Sequence, residues 1–153
     1  MLRSLVNRRV LQVALGALVF VLVVPATARA AEIDPCSLIP TSQVAAMTGG
    51  TGKGSWHHAV GRNRYSQETC HYDGPLNRAV LVAVHLDAAP FATVKSMMKP
   101  LAGVGADAIY MGGPPSVIAF LKHGHYVSMS WNADPGKPSP QFLAAAKAAA
   151  SKL

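Results

Sequence analysis

The stretch Ser116-Val117-Ile118-Ala119-Phe120-Leu121-Lys122, His123-Gly124, His125-Tyr126-Val127-Ser128-Met129-Ser130-Trp131 decides the fold class. Two runs rich in β-branched and aromatic residues flank a two-residue His-Gly turn, which is the pattern of a tight antiparallel hairpin. A two-residue loop pairs Lys122 with His125, Phe120 with Val127 and Ile118 with Met129. That register gathers Ile118, Phe120, Val127 and Met129 on one face and sends Ala119, Ser128 and Ser130 to the other. A three-residue loop scatters the apolar set, so the short turn is expected.

Working outward, residues 78–86 read as a second strong strand. Val80, Val82, Val84 and Leu86 alternate with Leu81, Ala83 and His85. Residues 69–73 read as a short strand before a Gly74-Pro75 turn, and residues 108–111 as another before Gly112-Gly113-Pro114-Pro115. Thr41 is placed to cap a helix to Thr48, with Val44 and Met47 one turn apart and Gly49-Gly50 as the stop. Asp87 or Ala88 opens a second helix with Pro90 in its first turn, Phe91, Val94 and Met98 as its buried stripe, and Pro100 as its end. After an Asp134-Pro135-Gly136 turn, Ser139 caps a third, Ala-rich helix with Pro140 at its first position, running to about Lys152. Short connections favour antiparallel pairing over crossovers. The expectation is an α+β fold: a single antiparallel sheet of about four to five strands with two to three helices packed on one face.

The beginning of the chain reads differently. Arg3, Arg8 and Arg9 precede an apolar run over residues 10–24, Pro25 breaks it, and Ala28-Arg29-Ala30 offers a small-residue cleavage site. Residues 1–30 therefore read as a signal peptide and residues 31–153 as a single exported domain. The run falls short of the roughly 20 apolar residues a spanning helix needs, so no transmembrane span is expected after cleavage. Asn7-Arg8-Arg9-Val10-Leu11 partly fits a twin-arginine signal, but Gln12 follows where a second apolar residue belongs, and the general secretory route is favoured. Ala31 after the cleavage site, where a lipoprotein has Cys, argues against a lipid anchor. Ser151-Lys152-Leu153 matches a peroxisomal address that an exported chain never presents to its receptor. The expected location is periplasmic or secreted.

Export changes both the charge and the cysteine arguments. The chain carries 14 Lys+Arg and 7 Asp+Glu; four of the basic residues and none of the acids lie in residues 1–30, which leaves ten against seven, net +3. That is too sparse for a nucleic-acid-binding face, and no nucleic-acid partner is expected. Cys36 and Cys70, the only two cysteines, are expected to join in one disulfide, since isolated pairs in oxidising compartments do so. Closing that loop contributes about 3–4 kcal/mol.

Asp34-Pro35-Cys36-Ser37-Leu38 ahead of a helix, Cys70-His71-Tyr72, and Gly103-Val104-Gly105-Ala106-Asp107-Ala108 together form a recurring arrangement. On these residues the chain resembles a family of small exported or lipid-anchored bacterial cell-envelope domains of unknown function. Their pattern is D-P-C-x-L, then C-x-Y, then a G-x-G-D-x-A turn. Here Pro40-Thr41 stands in place of Thr-Pro, Gln43 replaces an acid, and the acid after the glycines comes one position late. The resemblance implies export and a disulfide, and supplies no activity and no site residues.

Catalytic motifs are incomplete. Residues 49–55 are glycine-rich, but Met47 stands where a phosphate-binding loop needs its first Gly, and Gly54 where it needs Ser or Thr. Ser96-Met97-Met98-Lys99 fits S-x-x-K but sits near a helix end rather than its start. His57-His58 and His123-x-His125 are the histidine pairs; neighbours on an extended chain point opposite ways, which makes the first a poor chelate. Met47, Met97, Met98, Met111 and Met129 have the spacing of core residues rather than of a copper site. No catalytic residues, metal or cofactor are therefore expected.

The best candidate surface is the long polar segment at residues 49–67, because long internal loops are usually functional or disordered. It holds Lys53, Trp56, His57, His58, Arg62, Arg64 and Tyr65 without an acid, a set suited to an anion. The blander reading is a mobile loop or an unrecognised strand. The main expectation is a non-catalytic exported domain that binds an envelope protein or an anionic envelope ligand. The alternatives are a periplasmic metal-binding protein using His57, His58, His123 or His125, and a small serine hydrolase using Ser96.

Overall fold

The computed structural model describes residues 33–60, 66–105, 107–133 and 136–153, without the side chains of Ala59, Val60 and Ser66. The expected leader over residues 1–30 and the Asp134-Pro135 pair of the expected turn lie outside the described residues. The helices are α1 (Thr41–Thr48), α2 (Ala89–Met97) and α3 (Pro140–Ser151). The strands are β1 (Ser55–Val60), β2 (Ser66–Asp73), β3 (Ala79–His85), β4 (Lys99–Pro100), β5 (Asp107–Met111), β6 (Ser116–Lys122) and β7 (His125–Trp131). They form one seven-stranded sheet in the order β1-β2-β3-β7-β6-β5-β4, with every neighbour antiparallel. Two meanders, β1-β2-β3 and β4-β5-β6-β7, meet at the β3–β7 seam, and α2 spans the connection between them.

The β6–β7 hairpin has the expected register, Lys122 opposite His125, Phe120 opposite Val127 and Ile118 opposite Met129. His123 and Gly124 both take positive φ, 49° and 83°, as a primed two-residue turn requires. Val80, Val82, Val84, Ile118, Phe120, Val127 and Met129 make one sheet face, which packs on Val44 and Met47 of α1 and on Phe142, Ala145, Ala146, Ala149 and Ala150 of α3. The alanine stripe lets α3 lie close to the sheet, and Phe142 meets Trp131 edge-on at 5.9 Å. Ser139 caps α3, accepting a hydrogen bond from the Phe142 amide. Pro40, not Thr41, holds the N-cap position of α1, and Gly49 ends that helix with φ 73°.

Two expectations need correcting. The sheet has seven strands, not four to five. The additional strands are β1, whose polar, histidine-bearing sequence has no apolar alternation, and β4, only two residues long. The helices also do not share one face. Phe91 of α2 is buried with Ile109, Ala119 and Tyr126, which alternate with the core-facing residues of β5, β6 and β7 and so lie on the opposite side of the sheet.

The cysteines form the expected disulfide, with Cα atoms 5.1 Å apart. It ties the 3-10 turn Pro35–Ser37, capped by the Asp34 carboxylate on the Cys36 amide, to the middle of β2. The Tyr72 hydroxyl donates to the Cys36 carbonyl at 2.9 Å. Burial and the nearby Asp34 charge push the Tyr72 hydroxyl up to about 12. The two sheet edges differ. β4 is short and carries Lys99 and Pro100, whereas β1 offers six residues without proline, lysine or acid. No helix among the described residues is long and apolar enough to cross a membrane.

Candidate functional site

The polar segment at residues 49–67 is not one long loop. Residues 55–60 form the edge strand β1, and Ser66 and Gln67 already belong to β2. Register explains what this does to the expected anion site. Trp56 lies opposite Cys70 and His58 opposite Glu68, both on the core-facing side, while His57 lies opposite Thr69 on the other face. The Trp56 indole donates to Glu68 Oε2 at 2.8 Å, and His58 Nδ1 bonds Glu68 Oε1. Glu68 is only 4% exposed. Burial alone would raise its carboxyl, but the hydrogen bonds from His58 and Trp56, with the His58 charge, outweigh it and hold the group below its ordinary value.

The segment itself holds no acid, yet Glu68, one residue beyond it, is brought beneath two of its members. Trp56 and His58 are thereby committed to pinning the edge strand onto β2. Lys53 is exposed and precedes β1, and His57 is exposed on the face opposite Glu68. Arg62, Arg64 and Tyr65 lie outside the described residues. The seven expected ligand-binding residues are thus not shown as one cationic surface.

The other candidates separate as well. His123 and His125 sit at the β6–β7 turn, where His123 Nδ1 meets the Leu153 carbonyl at 2.8 Å. Among the described residues no group of three or more His, Cys, Asp or Glu side chains is placed to hold a metal ion. The Ser96 hydroxyl donates to the Thr93 carbonyl at 2.7 Å, spending its proton on the helix backbone. His85 stacks on Tyr126 at 4.0 Å with Nε2 3.0 Å from Ser128 Oγ, and burial lowers its pKa.

A site that the sequence reading missed lies at the opposite edge. A cleft of about 650 Å³ opens between the end of α2, β4, the end of β5 and the segment leading into α3. Met97, Met98, Pro100, Leu101, Met111 and Pro138 give it an apolar lining, and Lys99 and Lys137 are its charged residues. Its far wall is held by Tyr110, whose hydroxyl donates to the Gly136 carbonyl. Gly112 is required there: a Cβ would stand 2.2 Å from that same carbonyl oxygen. Met47 and Met129 are core residues as expected, at 1% and 0% exposure. Met97 and Met111 are not, at 71% and 47%. Hydrophobic spacing treats all methionines alike, so only their placement on two converging chain ends could reveal the cleft.

In comparisons with known proteins, no family model, no curated protein and no solved structure matches this chain.

Proposed function

We propose that this protein is an exported, non-catalytic binding domain whose ligand is an anionic amphiphile, a molecule with an acyl-like body and an acidic head. The observation that carries the reading is the cleft. Its volume falls in the range of small-molecule sites, its lining is apolar, and among the described residues its charged lining groups are two lysines. Exposed methionines suit such a role because an unbranched thioether adapts to flexible chains of varied shape. The lysines would select the head by charge, an attraction that weakens with salt because both are exposed. Export is supported by the leader-like first thirty residues and by the disulfide. The resemblance to small bacterial envelope domains points the same way.

The test is calorimetric titration with a long-chain fatty acid, and with the fatty alcohol of equal length as the uncharged control. The acid is expected to bind and the alcohol to bind at least tenfold more weakly. Lys99→Glu with Lys137→Glu is expected to erase that preference. Equal binding of acid and alcohol, or binding of neither, would overturn the proposal.

A further inference from the structure

The sheet face on which α2 packs is left uncovered at the β1–β2 end. β1 and β2 present His57 and His71 there. His57 stands opposite Thr69 and His71 opposite Ser55, so the two histidines are diagonal neighbours across one strand pair. Both are exposed. Their ring centroids are 5.2 Å apart and the rings are nearly perpendicular, at 88°.

That spacing has a chemical meaning. Two imidazoles that share one tetrahedral metal, at the usual metal–nitrogen distance of about 2.0–2.1 Å, place their ring centres roughly 5 Å apart. The diagonal register thus sets the two rings at chelating spacing, and both, being exposed, have room to turn a nitrogen toward a shared ion. α2 does not interfere: its buried partners Ile109, Ala119 and Tyr126 belong to β5, β6 and β7, at the other half of the sheet. Neither histidine pair suggested by adjacency can do the same. His58 faces the other side of the sheet and is bonded to Glu68, and His123 is bonded to the chain end.

We propose that His57 and His71 form a bidentate surface site for a late first-row divalent cation, with water completing the shell. Imidazole nitrogen suits copper, nickel and zinc, and copper(II) stands at the top of the affinity order. No third His, Cys, Asp or Glu among the described residues joins the pair, which makes this an exchangeable site rather than a closed structural one. The site is independent of the cleft near β4 and stands or falls separately from it.

The test is titration of the purified protein with Cu²⁺, followed by calorimetry and by electron paramagnetic resonance of the bound ion. The native chain is expected to bind with hyperfine splitting from two imidazole nitrogens. His57→Ala and His71→Ala are each expected to weaken binding about tenfold or more and to leave one nitrogen or none. His123→Ala, at the far β6–β7 turn, is expected to bind like the native chain. Since both rings are exposed, the variants should keep the native circular dichroism. His57→Gln and His71→Gln serve as a second pair that retains polarity. The proposal fails if the double variant His57→Ala/His71→Ala binds copper with native affinity and the same splitting, or if the native chain binds none.

Discussion

Reducing the Cys36–Cys70 bond is the sharpest test of what stabilises this fold. The bond closes a loop with a sequence separation of 34 residues. In the chain-entropy treatment a loop of that length removes about 12–13 cal/mol/K from the unfolded ensemble, or about 4 kcal/mol at 25 °C. That is a large share of the 5–15 kcal/mol typical of a domain. The folded side should change little, because Cys70 is fully buried and Tyr72 still bonds the Cys36 carbonyl. Urea unfolding, followed by fluorescence with Trp131 as a core probe, measures both states with and without reductant. The expected result is a loss of about 4 kcal/mol. The denaturant slope should rise, since an uncrosslinked unfolded chain exposes more surface. A loss below about 1 kcal/mol with an unchanged slope would refute the reasoning, because it would mean that the crosslink does not restrict the unfolded chain.

Two further perturbations test the edge around it. Gly54→Ala places a Cβ 2.2 Å from Cys70 Sγ and 2.6 Å from the Tyr72 ring, and should destabilise the protein by about 1–3 kcal/mol, read as a lower urea midpoint. Glu68 is held below its ordinary value of 4.5, so its contribution is complete above that pH and is lost as pH falls through the folded-state value. Stability measured from pH 6 down to pH 3 should decline more steeply in the native chain than in Glu68→Gln, and parallel curves would refute the Trp56–Glu68–His58 arrangement.

The hairpin was legible because two independent signals agreed, the alternation of residues 116–131 and the His123-Gly124 turn. The strand containing Val80, Val82 and Val84 was legible for the first reason alone. β1 was hidden because Ser-Trp-His-His-Ala-Val has no apolar alternation. Its core-facing positions carry Trp56 and His58, which are satisfied by a buried acid twelve and ten residues further along the chain. The face chosen by α2 was hidden for a related reason. Phe91, Val94 and Met98 show which side of the helix is apolar, but its docking ground joins Ile109 to Ala119 and Tyr126, and the last two, small or half-polar, do not advertise a core. The cleft near β4 depends on chain ends meeting in space, Met97-Met98 and Met111 with Lys137-Pro138, and no local pattern reports such a meeting.

The unequal borders of the sheet carry a consequence for self-association. Fibre-like stacking proceeds only when each added copy leaves a fresh recruiting border behind it. In this molecule β1 can recruit, whereas β4 ends after two residues at Pro100, which has no amide proton to offer. Two copies joined through β1 would therefore use up the recruiting border of both, and the growth of a ribbon would stop at a pair.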